Sequence, residues 1–410
     1  MLKSIIRKEI LNNLFSYKFS IIIILSTILI LVSIFVMYRD YCLALENYEI
    51  LQQESESAAV IRPTPLSIFA KGLDENLCRS YQGGSSARIG VSSKQQSVNN
   101  LFKLFTAPDL LYVIKVILSL CAMLFAFDIV CGEKEIGTLR QSLSCSLKRP
   151  VLIIGKWIGG FTSFILPFFI AVLLGTIFVT LSPMVDINAQ NWAKLGLFLL
   201  SSVIYLAVFF SLGLLISCLT HHSSSSLVFS LFVWAIFVFL IPNLGNILAH
   251  QLVRIPTVQR LELKLEQSSI RRDFEKHRAD DSRHRQIDNR IRAEDEKLIE
   301  DYSNRLDRLI KVSQNITRMS PLAAFNFLAT DTMGTGVAEE RRLKRAVLQH
   351  RNIIRNWDRK KGDRPAFSYQ RSSVKEVLDR GGMSNCLILI LFNILFFTGA
   401  HVAFLRYDVR

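Results

Sequence analysis

The chain has 410 residues and a mass of 46.7 kDa, half of its residues are hydrophobic and its mean hydropathy is +0.31, which excludes a disordered or fibrous chain and argues against one soluble globule. The net charge of +15 raises the question of nucleic acid, but residues 250–385 hold nine of those charges, as 29 Lys and Arg against 20 Asp and Glu. The two signs are interspersed there without a block of five like charges, so a solvated surface is expected and no nucleic-acid partner.

Residues 1–18 place Leu2, Ile5, Ile6, Ile10, Leu14 and Tyr17 at helical spacing with Lys3, Arg7, Lys8 and Asn12 between them, the pattern of an amphipathic helix in the membrane interface. Six apolar runs follow, at 19–38, 110–131, 157–181, 195–219, 226–249 and 386–405. Each has the roughly 20 residues that a helix needs to cross a bilayer core of about 30 Å. The first lacks a small-residue cleavage site and reads as a retained span rather than a signal peptide. The fold class expected is therefore an all-α polytopic membrane protein with six transmembrane helices.

An even number of spans puts both termini on one side. The N-terminal arm carries four Lys or Arg and the 132–156 loop five, whereas the 182–194 loop carries only Lys194. The positive-inside rule then predicts that both termini and the 132–156 loop are cytoplasmic. Residues 39–109 and 250–385 fall outside, and long loops translocate largely regardless of charge.

The first of these regions, with Pro63, Pro65 and a Ser-, Gln- and Gly-rich stretch from Gln82 to Gln96, reads as a small, partly irregular domain or lid. The second is different in kind. Thr257 to Ser320 contains neither Gly nor Pro, and Ile287, Ile291, Leu298, Tyr302, Leu306, Leu309, Val312, Ile316 and Met319 recur mostly three or four apart. A single helix of that length would reach about 95 Å, yet the chain returns to an apolar stretch at Pro321 to Ala329. A mainly helical exoplasmic domain is predicted, with a hairpin turning near Asp280 to Asn289 and the fifth span continuing into its first arm. A third helix is expected from Val337 to Trp357, after the break at Gly334-Thr-Gly336.

Seven cysteines, at 42, 78, 121, 131, 145, 218 and 386, include no C-x-x-C pair and no His partner at zinc spacing, so no metal site is expected. Cys42 and Cys78 share one polar loop, and both a disulfide and two free thiols are compatible with it. Catalytic motifs are equally absent. Gly155-Lys156-Trp157 lacks the hydroxyl that a phosphate-binding loop uses for magnesium, and neither H-E-x-x-H nor G-x-S-x-G occurs. His221-His222 reads as a solvated turn. No enzyme active site and no bound cofactor are expected.

Three polar side chains fall inside spans and raise a functional question. Lys115 is close enough to the outer end of the second span to snorkel outward. Asp128, near the cytoplasmic end, is expected to pair with the loop beside Glu133 and Lys134, and His401 is either a lining or a packing residue.

The informative stretch runs from Phe127 to Lys156. Ile136, Leu139, Leu143 and Leu147 make an apolar stripe at helical spacing, with Glu133, Lys134, Glu135 and Arg140 on other positions. Acidic residues at the start and Lys148-Arg149 at the end suit one helix and its dipole, and Pro150 is expected to stop it before the third span. Gly132-Glu-Lys-Glu135, Gly137-Thr-Leu139, Leu143-Ser144 and Gly155-Lys156, in this order, closely resemble the loop between the second and third spans of ABC transporter permease subunits of the type 2 exporter class. The chain departs from that pattern in placing Lys148-Arg149 directly before Pro150. Outside the loop, Ser119-Leu120 and Phe125 to Asp128 fit the second span of that class. Pro65 to Gly72, Ser320-Pro321 and Gly334-Thr-Gly336 resemble a subgroup with large exoplasmic insertions.

The resemblance implies a permease that binds no nucleotide, in a bacterial inner membrane. A separate ATPase chain, which carries the ATP, would dock on the coupling segment of Glu133, Lys134, Glu135, Gly137, Thr138, Leu139, Arg140 and Leu143 and on the interfacial helix. A second permease chain, identical or not, would complete the transmembrane path. Two other readings stand beside it: a membrane receptor or scaffold whose exoplasmic hairpin binds a protein or cell-envelope partner, and a transmitter of mechanical motion. Substrate identity is not legible.

Overall fold

The computed structural model describes residues 2–54, 61–74, 80–83, 89–92, 108–144, 148–355 and 367–407. Helix α1 (Leu2–Leu14) precedes the first apolar helix, α2 (Tyr17–Glu54). A short antiparallel hairpin follows, β1 (Ser80–Gly83) with β2 (Ile89–Ser92), Ser80 lying opposite Ser92. The second apolar helix, α3 (residues 110–126), has a π-helical turn at Val113–Leu118. Two short helices, α4 (Cys131–Ile136) and α5 (Thr138–Ser144), lead to α6 (Arg149–Thr180), α7 (Ala189–Leu219) and α8 (Ser223–Leu252). Helices α9 (Val258–His277), α10 (Asp281–Thr317), α11 (Pro321–Met333) and α12 (Val337–Arg355) form the large insertion, and α13 (Val374–Leu405) is the last apolar helix. Among the described residues six helices are long and apolar enough to cross a membrane, and apart from the hairpin the fold is all-α.

The six helices sort the connections onto two ends of the bundle. One end holds α1, α4, α5, the 220–222 turn and residues 406–407; it is called here the terminal end. The other holds residues 61–74, the 181–188 turn and α9 to α12, and is the insertion end. Helix α1 lies against the start of α6, where glycines let the two backbones meet: a Cβ at Gly155 would stand 2.7 Å from Ile5, and one at Gly159 2.7 Å from the Cβ of Glu9.

The core is aromatic and centred on α7. The ring of Tyr205 stacks on Phe325 of α11 at 4.4 Å, with Phe198 and Phe209 beside it, all fully buried. The Tyr205 hydroxyl donates to the carbonyl of Lys115 at 2.7 Å. That carbonyl lies in the π-helical turn of α3, where the regular ladder is interrupted and a side chain can satisfy the backbone. The hydroxyl of Ser119 donates to the same carbonyl at 2.8 Å and accepts from the Trp234 indole at 3.0 Å, which ties α3 to α8.

Several elements depart from the sequence reading. Helix α2 runs on to Glu54, well past the expected end of the first span at Tyr38. The fifth span does not continue into the hairpin: α8 ends at Leu252 and α9 starts at Val258. Pro256 lies in between, disfavours helical geometry at Ile255 and has no N–H to donate. The hairpin turns at residues 278–280, at the very start of the predicted window, and its second arm packs along both α9 and the end of α8. The third insertion helix spans Val337–Arg355, short of Trp357, which lies outside the described residues. Cys42 is half-buried on α2, and Cys78 lies outside the described residues.

Candidate functional site at the terminal end

The segment read as one helix is two. Gly137 takes a left-handed conformation, φ 84°, closing α4 through a bond from its N–H to the Lys134 carbonyl, and α5 sets off in a new direction. Pro150 does not stop a helix but occupies the first turn of α6, where a missing N–H costs nothing. Lys148 and Arg149 therefore belong to the start of the third span, and Arg149 reaches the carbonyls of Leu405 and Tyr407 at 2.8 and 3.1 Å.

The three charges in Gly132-Glu-Lys-Glu135 each bond to a different helix, Glu133 and Lys134 from half-buried positions and Glu135 from an exposed one. Glu133 accepts from the Lys156 ammonium of α6 at 2.7 Å, and Lys156 also reaches Glu9 of α1 at 3.2 Å. The Lys156 side chain is only 3% exposed, whereas those of Glu9 and Glu133 are 13% and 25% exposed, so the ammonium is buried beneath two partly exposed carboxylates. Lys134 donates to the carbonyls of Cys218 and Thr220 at the end of α7, the second at 2.9 Å, and lies 4.7 Å from the centre of the Tyr407 ring. Glu135 accepts from both the N–H and the hydroxyl of Ser223, at 3.0 and 2.7 Å, at the start of α8. A cation at a helix C-terminus and an anion at a helix N-terminus both match the helix dipoles. Helix α4 is fixed in its turn by Ser217, whose hydroxyl accepts from the N–H groups of Val130 and Cys131, each at 3.0 Å.

The remaining residues divide by exposure. Leu139 is buried in a cluster with Ile5, Leu152, Ile153, Leu214 and Phe404, so it holds α5 to the bundle. Thr138 and Arg140 are exposed, and Ile136 is 79% exposed, an apolar side chain left at the surface of the loop. Leu143 lies in α5, and its side chain is outside the described residues. Asp128 does not pair with the loop as expected: its carboxylate meets Lys18 at the start of α2, whose ammonium also lies 4.8 Å from the ring of Phe127. His401 sits on α13 with its Nδ1 buried and, among the described residues, without a hydrogen-bond partner. Lys115 belongs to the opposite end and lines a cavity there.

Sequence reasoning missed Glu9, Lys18, Ser217 and Ser223 as parts of this site. The only advance signal was Gly155-Lys156 within the motif, and it did not reveal that its lysine joins two carboxylates from helices far apart in the chain. Among the described residues no group of His, Cys, Asp and Glu is arranged to hold a metal.

A profile of ABC-2 family transporter proteins matches residues 4–409, nearly the whole chain. Over 157 residues the chain is 27% identical to the probable ABC transporter permease protein NosY of Stutzerimonas stutzeri. That alignment covers 38% of this chain and 52% of that protein, so it spans about half the length of the relative. The chain belongs to the ABC-2 family of transporter proteins and is a polytopic membrane permease of the type 2 class.

Proposed function

We propose that this permease is the transmembrane subunit of an ATP-driven exporter and that α4 and α5 couple it to a separate ATPase chain at the terminal end. The observation that carries the reading is the arrangement of Glu133, Lys134 and Glu135. Through them one short segment is bonded to α6, to the end of α7 and to the start of α8, and through Lys156 to α1. A partner pushing on such a segment moves four helices as a body instead of bending a loop, which is what transmission by rigid-body rotation requires. The exposed face of the segment, with Ile136, Thr138 and Arg140, is the docking surface in this reading. ATP is bound by the partner. A second permease chain, identical or not, completes the path, and the charge of the short connections favours a cytoplasmic terminal end in an inner membrane.

Capture of an ATPase chain by the tagged permease in mild detergent tests this. Wild type is expected to retain it, and Ile136→Asp to lose it while keeping normal expression and melting, because the side chain is already in solvent. Equal retention by wild type and Ile136→Asp would remove the segment from the docking role.

A second reading rests on the first arm of the hairpin, where Leu263, Ile270 and Phe274 are each more than half exposed. Their spacing of seven and four puts them along one stripe of α9, the kind of seam that an exoplasmic protein partner covers. In that reading the insertion binds a protein or receives motion from the spans, and Phe274→Ser would weaken partner retention without affecting ATPase capture.

A further inference from the structure

The insertion end contains a half-open cavity of about 760 Å³ between α3, α11, the start of α12 and residues 71–73. Two stretches that stood out in the sequence close it together: the N–H of Leu73 donates to the carbonyl of Thr335 at 2.8 Å, joining the 65–72 segment to the Gly334-Thr-Gly336 turn. The walls are mixed in character. Leu111, Phe327 and Val337 supply apolar surface, and Asn326 supplies an amide.

Three charged residues line the space, and two of them are already engaged. The Lys71 ammonium is 2.9 Å from Asp40. Asp109 spends both carboxylate oxygens on backbone, accepting from Tyr112 N–H at 2.7 Å and from Lys71 N–H at 3.0 Å. Lys115 has the ring of Tyr112 at 5.7 Å and, among the described residues, no carboxylate at ion-pair distance. An ammonium in a mostly apolar wall is costly unless an anion or water meets it. Its depth narrows the choice. Lys115 is five residues past Leu110, about 7.5 Å along the helix, a distance comparable to the layer of lipid phosphate and glycerol between bulk water and the hydrocarbon core.

We propose that this cavity binds the phosphate of an anionic amphiphile, with the Lys115 ammonium as its counter-ion and the Asn326 amide as a hydrogen-bond donor. The volume lies within the range of about 300–1,000 Å³ usual for small-molecule sites. The apolar wall of Leu111, Phe327 and Val337 takes the glycerol and first methylenes, which a free phosphate ion does not have. A zwitterionic headgroup is disfavoured, because its cation would approach Lys71 and Lys115 with only Asp109 on the cavity wall to receive it. The site is at the opposite end of the bundle from α4 and α5, and it stands or falls independently of the coupling role.

The test uses the purified full-length chain in mild detergent, titrated with phosphatidylglycerol or phosphatidylcholine and read by native mass spectrometry. Wild type is expected to bind phosphatidylglycerol about tenfold more tightly than phosphatidylcholine, and Lys115→Gln to lose about tenfold, as expected for removal of one charge-assisted hydrogen bond. Lys115→Arg should retain binding, and Lys344→Gln, on the exposed face of α12 beside Glu340, should leave it unchanged. Asn326→Ala provides a second variant and should bind several-fold more weakly. Equal binding of the two lipids would overturn the proposal, as would wild-type affinity in both Lys115→Gln and Asn326→Ala. Displacement of phosphatidylglycerol by millimolar inorganic phosphate would also overturn it, because the site would then recognise the ion and not the amphiphile.

Discussion

Lys156 sits between Glu9 and Glu133 with almost no exposure, and the second oxygen of Glu133 is buried with no partner among the described residues. Two carboxylates held by one ammonium are stable only while the ammonium is there. Removing it leaves uncompensated buried charge, which costs about 3–5 kcal/mol. Lys156→Met is therefore expected to melt well below wild type in detergent, whereas Lys344→Gln at a surface pair changes melting by less than about 1 kcal/mol. Equal melting of Lys156→Met and wild type would show that the triad does not hold α1 in place. At the insertion end, Asp331 behaves in the opposite sense to a paired carboxylate. Burial pushes its pKa up to about 6, against the bond from the Ala338 N–H and the pull of Arg341. The unfolded value is about 3.9, so the native state binds the extra proton between those values and stability falls as pH rises through them. Asp331→Asn should accordingly melt above wild type at pH 7.5, and the difference should vanish by about pH 4. A constant difference across that range would contradict the assignment.

Among the elements, the hairpin of α9 and α10 is held by charge more than by apolar contact. Asp295 accepts from Ser268 at 2.6 Å and pairs with Arg272 at 3.0 Å, Lys276 meets Asp288 at 2.9 Å, and Arg271 and Glu275 pair with Glu294 and Arg290. Asp295 is the most buried of these carboxylates, and hydrogen bonds to charged groups contribute about 1.5–3 kcal/mol. Hydrogen exchange of the amides in 262–300 should accelerate about tenfold or more in Asp295→Ala and scarcely in Glu294→Ala, whose pair is half-exposed. Comparable acceleration in both would mean that surface pairs carry the hairpin. The same elements show what a sequence reveals. The six apolar runs and the Gly- and Pro-free hairpin were legible because hydropathy and helical periodicity are local properties. Pro256 stood just outside the Gly- and Pro-free run, so the break between α8 and α9 was overlooked. The π-helical turn at Val113–Leu118 has no such marker; it is fixed by Tyr205, 90 positions away from the carbonyl it bonds. Glu133, Lys134 and Glu135 stand out in the sequence as a motif, but their partners lie 23 to 88 residues distant, and no spacing rule links them.

Taken whole, the molecule is polarised between an end that anchors four helices to one short segment and an end that carries a large, charged insertion. The proposed orientation, with the terminal end cytoplasmic, rests on the basic residues of the short connections and can be measured without knowing the substrate. An impermeant thiol reagent on intact cells should modify Arg285→Cys in the hairpin and spare His222→Cys in the 220–222 turn, with both modified after lysis. Modification of His222→Cys alone in intact cells would invert the topology and move the ATPase surface to the insertion.

The most direct test of the coupling role places a photo-crosslinking amino acid at Ile136, the exposed last residue of α4, and separately at Phe274, on the exposed stripe of α9. Irradiation of cells should yield an adduct with an ATPase chain from position 136 and none from position 274. An ATPase adduct from 274 with none from 136 would contradict the account, because the segment bonded to α1, α6, α7 and α8 would then not be the one the motor touches.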